Sequence, residues 1–301
     1  MTPAISTQRL TKDYGGARGL FDLDLEVAEG EVFGYLGPNG ADKSTTIRLL
    51  MGFIHATRGS ASVLGLDAVR RSVEVKRLVG YMPGELPQFG GLRGREIAAH
   101  FGALRGGVDQ PRVKEITERL DLDLGQKFRQ YSTGNKRKLG ILLAFMHRPR
   151  LLILDEPSSG LDPLNQQEFF KLVQEAKAAG TTIFLSSHVL SEVEHVCERV
   201  GIIRCGRLVK VARLEELHEI RVRRVEVEFA GPPMPELFSQ LPGVENVESS
   251  KHRVTFTARG SFEPIADALA GHHVVKMASH EPSLEEVFLT YYEDKPEEAR
   301  P

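Results

Sequence analysis

Residues 37–45, Gly37-Pro38-Asn39-Gly40-Ala41-Asp42-Lys43-Ser44-Thr45, gather glycines, a lysine and adjacent hydroxyls in one short stretch. Such a stretch can wrap an anion. Successive backbone N–H groups point inward, and a helix N-terminus adds its positive end. The spacing follows the phosphate-loop pattern G-x-x-x-x-G-K-[ST] except that the second glycine is Asp42. Lys43 would reach the terminal phosphates, and the Ser44 hydroxyl would ligate Mg²⁺. Glycine at position 42 would let the backbone approach the phosphates closely, whereas Asp42 adds a Cβ and a carboxylate. One carboxylate about 4 Å from one phosphate charge costs roughly 4 kcal/mol at an effective dielectric of about 20. The sequence therefore predicts weak phosphate binding at an otherwise complete loop.

Other groups fit the same chemistry. The apolar run Leu151-Leu152-Ile153-Leu154 delivers Asp155 and Glu156, at the strand end where open α/β sheets place their ligands. There Asp155 would hold Mg²⁺ through water and Glu156 would polarise an attacking water. The plainer role is a carboxylate capping the next helix. The strand predicted at 181–185 ends in Ser186-Ser187-His188. His188 would contact the γ-phosphate and orient water, or serve as a satisfied structural histidine. Tyr131-Ser132-Thr133-Gly134-Asn135-Lys136 precedes an apolar helix. Ser132 and Gly134 could offer a hydroxyl and a backbone N–H to a phosphate, although alone they read as an N-cap. Tyr14, in the turn 12–16, either stacks on a base or is a half-buried turn residue.

Positioning these groups needs a strand before the loop and a helix after it. The run 32–36 and the helical spacing of 46–51 supply both. Strands are predicted at 4–10, 20–27, 60–65, 77–82, 151–154 and 181–185. The pairs 200–203 and 207–209 read as a hairpin around Cys205-Gly206. From 93 to 146 the pattern is helical, with breaks at Gly106-Gly107 and Gly125, as an insert on the core. A turn at 158–163 leads into an amphipathic helix carrying Phe169, Leu172 and Val173.

The chain has 301 residues, 27% charged and 41% hydrophobic, with formal net charge −2. That length accommodates one large α/β domain and a small one. No global basic field would hold nucleic acid. Cys197 and Cys205 lack metal-type spacing and read as reduced and buried thiols. The N-terminal residues lack a signal-peptide pattern, and no apolar run nears the roughly 20 residues that span a bilayer. The expectation is a soluble cytoplasmic protein whose membrane association comes through a partner.

Taken in order, Tyr14, residues 37–45, Ser132-Thr133-Gly134, residues 151–156, residues 159–162 and His188 resemble the A-loop, Walker A, signature, Walker B, D-loop and switch histidine of ABC transporter ATPases. The resemblance covers roughly residues 4–218 and is closest to the bacterial drug-export type, in which ATPase and permease are separate chains. It implies a P-loop ATPase core with an antiparallel β subdomain and a helical insert. ATP and Mg²⁺ are the implied ligands. A head-to-tail dimer, most simply a homodimer, would sandwich ATP between residues 37–45 of one subunit and Ser132 and Gly134 of the other. Asp162 would act across that interface, and the permease would dock near residues 83–92. The implied location is the cytoplasmic face of the membrane, with no nucleic-acid partner. Where many relatives have Gln, this chain has Gly84-Glu85; either Glu85 would substitute at the metal, or sensing of the γ-phosphate would be weak. Because of Asp42, an ATPase that powers an exporter and an impaired, regulatory subunit of one both stand. A soluble ABC protein of ribosomes or DNA fits less well, lacking a second cassette or a long coiled coil.

After residue 219 the pattern becomes βαββαβ: strands at 222–230, 244–250, 253–258 and 274–279, helices at 234–241 and 262–270. That is a ferredoxin-like order. A further helix is expected at 283–291, capped by Ser283 and Glu286 and carrying Leu284, Val287, Phe288 and Tyr291 on one stripe. The expected domains are 1–218 and 219–292, with 293–301 a disordered tail. The second domain is expected to brace a dimer rather than sense a ligand.

Overall fold

A computed structural model describes residues 2–218 and 222–280. The expected helix at 283–291 and tail at 293–301 lie outside the described residues. The chain divides into compact units Met1–Leu214 and Glu215–Pro301. The expected boundary at 218 falls at the end of a short helix, Leu214–His218.

The first unit holds two sheets. In the smaller, β1 (Ile5–Asp13) lies between β2 (Gly19–Val27) and β4 (Arg58–Val63), and β5 (Leu66–Asp67) closes the edge. All of its pairings are antiparallel. In the larger sheet β3 (Val32–Leu36), β6 (Val79–Met82), β7 (Leu151–Asp155), β8 (Thr182–Ser187), β9 (Arg199–Arg204) and β10 (Arg207–Arg213) run in the order β10-β9-β3-β8-β7-β6. Only the β9–β10 hairpin is antiparallel. Every residue of β3, β7 and β8 is buried. Strands covered on both faces must be apolar throughout, which is why these runs do not alternate.

Helix α1 (Lys43–Leu50) follows the phosphate loop. Helix α2 (Ser72–Leu78) runs straight into β6. The strand expected at 77–82 is thus shorter, because Arg77 and Leu78 close a helix that buries only Val75. The apolar continuity of Leu78 with Val79 hides that boundary. The helical region contains α3 (Gly94–Ala103), α4 (Gln110–Arg119) and α5 (Thr133–Phe145), with a 3₁₀ turn at Phe128–Gln130. Helix α6 (Pro163–Ala178) buries Phe169, Leu172 and Val173 as its periodicity requires. Helix α7 (Leu190–Val196) follows β8, and α8 (Leu214–His218) follows β10. Cys197 is buried but Cys205 is exposed at the β9–β10 turn, and both are free. The expectation of two buried thiols fails at Cys205 because a two-residue hairpin turn has no interior.

The second unit is one antiparallel sheet. Its strands are β11 (Val222–Phe229), β12 (Val244–Ser250), β13 (Arg253–Arg259) and β14 (Val274–His280), in the order β12-β13-β11-β14. Helix α9 (Glu263–Leu269) supplies Ile265 to a core formed with Val225, Val227, Phe238, Val254 and Phe256. The helix expected at 234–241 is only a 3₁₀ turn, Pro235–Leu237. Phe238 N–H donates to Pro235 O at 3.1 Å, three residues back, and Ser239 N–H shares that carbonyl at 3.2 Å. Prolines crowd its start and Phe238 is fully buried as its anchor, so the helical path stops after this single turn. Among the described residues, no helix is long and apolar enough to cross a membrane.

Candidate functional site

Strand register builds the site. In the parallel set, Leu36 pairs with Ser187 and Asp155 with Ser186. The chain therefore leaves β3, β7 and β8 at the same sheet edge, into Gly37, Glu156 and His188. This is the carboxyl edge, where α/β folds hold their ligands.

The phosphate loop turns tightly there. A Cβ on Gly37 would come 2.5 Å from Ile203 O, so the strand exit requires glycine. Asp42 is the residue before α1 and has left-handed backbone, φ 72° and ψ 26°. Glycine adopts that conformation freely; Asp and Asn are the residues that best tolerate it. The Asp42 carboxylate does not cap the helix. It is turned along the first turn of α1 instead, where Thr45 Oγ1 donates to its Oδ1 at 2.9 Å. Thr46 Oγ1 lies 3.2 Å from the hydroxyl of fully buried Tyr35. Burial first, and the Asp42 charge to a lesser degree, push that phenol well above its usual range.

Lys43 is 5% exposed. Its Nζ donates to Gly37 O at 2.6 Å and Pro38 O at 3.1 Å, and ion-pairs with Glu156 Oε1 at 3.2 Å. Glu156 Oε2 meets His188 Nδ1 at 2.7 Å. The backbone of Glu156 is left-handed, φ 49°, just past the strand end. Its N–H donates to Ser186 O at 3.1 Å, which holds that kink. Beside this row, Ser44 Oγ donates to Asp155 Oδ2 at 2.8 Å and Ser186 Oγ to Asp155 Oδ1 at 2.6 Å. The structure thus brings Lys43, Ser44, Asp155, Glu156 and His188 into one connected group. It joins a buried cation, a carboxylate with a histidine behind it, and a hydroxyl–carboxylate pair.

The family profile for the ABC transporter matches residues 20–159. A bacitracin transport ATP-binding protein, BcrA of Bacillus licheniformis, is 36% identical over 234 residues, covering 76% of each chain. The chain belongs to the ABC transporter family, as an ATP-binding subunit. A Nod factor export ATP-binding protein of Cupriavidus pinatubonensis is 31% identical over 295 residues, 96% of this chain and 90% of that one. A solved ATP-binding subunit of an ABC transporter superposes with TM-score 0.67 at 29% identity, covering 71% of this chain and 92% of the other.

Other expected ABC positions lie away from that group. Tyr14 is 48% exposed, with Lys12 Nζ 5.4 Å above its ring. Ser132 caps α5, accepting from Asn135 N–H at 3.2 Å. A Cβ on Gly134 would meet Gly160 O at 3.3 Å, so this segment rests on the 158–162 turn. Asp162 caps α6, and bonds from Asn165 hold its carboxyl below the usual range. Glu85 is exposed. It is Gly84 that lies against the site, where a Cβ would come 3.2 Å from Asp155 Oδ2.

Sequence reasoning passed over Ser186, whose hydroxyl fixes Asp155. Two serines ending an otherwise apolar strand are the available signal. At the expected docking stretch 83–92 lies an apolar groove of about 480 Å³, whose lining includes Met51, Phe53, Tyr81, Pro83, Leu86 and Arg105. Phe53 and Tyr81 pack there with ring centroids 5.4 Å apart, and burial, then the Asp155 charge, pushes the Tyr81 phenol up to about 12.

The donors suit a hard cation. Ser44 and Asp155 present oxygen ligands only, and Mg²⁺ is held by one or two carboxylates with substrate phosphates completing its shell. Among the described residues there is no group of acidic, His or Cys side chains that would hold a metal without substrate.

Proposed function

We propose that this chain is the ATP-hydrolysing subunit of an exporter of the kind its bacitracin-transport relatives represent, working as a dimer on a membrane permease from the cytoplasmic side. The Lys43–Glu156–His188 row beside Ser44–Asp155 carries the reading. Lys43 is already desolvated and leans on two backbone carbonyls. Phosphate oxygens would replace them and draw Lys43 off its ion pair with Glu156, freeing that carboxylate. Glu156 would take the proton of the attacking water, and His188 would hold the Oε2 side of that carboxylate in place. Ser44 and Asp155 are the groups that would hold Mg²⁺, which supplies charge neutralisation at the phosphates. Tyr14 would stack on the base. Ser132 and Gly134 would close on the ATP of the partner subunit, and Asp162 would act across that interface. The 480 Å³ groove is where the permease would dock.

A tagged chain recovered from detergent-solubilised membranes should bring an integral membrane protein with it. Leu86→Asp, which puts a charge in the groove, should lose it. Recovery with ribosomes and no membrane protein overturns the assignment.

The second reading, an impaired regulatory subunit, is favoured by Asp42 alone. Its carboxylate is anchored by Thr45 on the turn whose N–H groups would bind phosphate. A catalytically competent partner subunit would then carry turnover.

A further inference from the structure

Arg137, one turn beyond Ser132 on α5, makes two bonds, both to main-chain carbonyls. Its Nε donates to Ser159 O at 3.0 Å and its Nη1 to Pro83 O at 3.2 Å. Each acceptor belongs to a loop beside the hydrolysis group. Pro83 lines the 480 Å³ groove, and its neighbour Gly84 lies against Asp155. On the other side, Ser159 N–H donates to Glu156 O at 3.3 Å. A continuous path therefore runs from the groove through Pro83, Arg137 and Ser159 to Glu156.

The character of the bonds matters as much as the path. Arg137 is half-buried, and burial lowers its pKa while the charges of Asp155, Glu156 and Glu85 oppose that. Among the described residues it forms no ion pair, although these carboxylates surround it. Its planar fork is committed to holding two loops at one separation. A lysine cannot reproduce that, because its single ammonium has no fixed fork.

We propose that Arg137 is a positioning residue that ties the groove loop to the Glu156 turn, so that occupation of the groove is passed to the water-activating carboxylate. This rests on the proposed ATPase function. It adds a residue that touches neither substrate nor metal.

Two measurements test it. The first is hydrogen–deuterium exchange on the full chain without nucleotide. Arg137→Lys should raise exchange at 83–90 and 156–162 together by at least tenfold while leaving 37–45 unchanged. Unchanged exchange in both loops, or a rise in one alone, overturns the tie. The second is steady-state ATP hydrolysis in the Asp42→Gly background, comparing Arg137, Arg137→Lys and Arg137→Met. Expected is a fall in kcat of at least tenfold in both variants, with KM for ATP within about twofold. A Lys variant that turns over like its parent, or a KM that rises in step, overturns the positioning role. Should Arg137→Met fail to fold, Arg137→Lys decides. If the parent itself never hydrolyses ATP, the ATPase reading fails, and the exchange result still decides the tie.

Discussion

Replacing Asp42 by Asn separates charge from shape at the phosphate loop. Asn tolerates the left-handed backbone at φ 72° as well as Asp does, and its amide oxygen can still accept from Thr45 Oγ1. What changes is one negative charge. A phosphate bound by N–H groups of the same turn would lie on the order of 5 Å from that carboxylate. At an effective dielectric of about 20 the repulsion is roughly 3 kcal/mol, or about a hundredfold in affinity. Asp42→Gly removes the same charge with other consequences. It relieves about 1 kcal/mol of left-handed strain, gives up a hydrogen bond worth about 1 kcal/mol, and loosens the unfolded chain by up to about 1 kcal/mol. The two losses outweigh the gain by up to about 1 kcal/mol, so the melting temperature should fall by a few degrees at most while affinity rises. The assay is calorimetric titration of Mg-ATP into the native chain, Asp42→Asn and Asp42→Gly at 0.15 M salt, where screening is moderate. Both variants should bind at least tenfold tighter. An Asn variant within threefold of the native chain refutes the electrostatic argument. A gain in Gly alone shows that backbone approach, not charge, limits binding.

Three further outcomes follow from the site and its surroundings. Ser186→Ala leaves Asp155 Oδ1 without its O–H donor, which should cost about 1–2 kcal/mol in denaturant unfolding and weaken Mg²⁺-dependent nucleotide binding. Burial and the Arg105 guanidinium hold His147 down at about 4 against the ordinary 6.5. The unfolded chain therefore binds the proton first, and stability present above pH 6.5 should be lost by about 3 kcal/mol as pH falls towards 4; His147→Leu should flatten that part of the stability–pH curve. Phe184→Ala removes a fully buried ring stacked on Phe33 and tilted against Tyr35. It should cost about 3–5 kcal/mol in chemical denaturation, because the cavity lies in the sheet centre and cannot collapse.

The parts of the fold most legible in the sequence are those fixed by local chemistry. Continuous apolar runs became β3, β7 and β8, because strands buried on both faces have no polar side to alternate with. The phosphate loop and the pair Asp155-Glu156 were legible because their residue types are tied to a strand end. The α2–β6 boundary was not, since Leu78 and Val79 look alike until Val75 is seen to face the core. The 3₁₀ turn at Pro235–Leu237 was missed because hydrophobic spacing does not register prolines crowding one turn. Within the site, Ser186 and Arg137 act through partners 31 and 54 residues away, Asp155 and Pro83. Such contacts exist only once register has brought the loops together. The orientation of the Asp42 carboxylate is by contrast local: its hydroxyl partner Thr45 lies three residues on, in the first turn of α1.

In the proposed function, one connected group with Glu156 as its water-activating carboxylate hydrolyses ATP. Phosphate release from Mg-ATP by the Asp42→Gly chain, beside the same chain carrying Glu156→Gln, tests it most directly. The account predicts turnover in the first, and in the second a fall of about a hundredfold or more with ATP still bound, since Gln keeps the shape but cannot take a proton. Equal rates in the two proteins would contradict it.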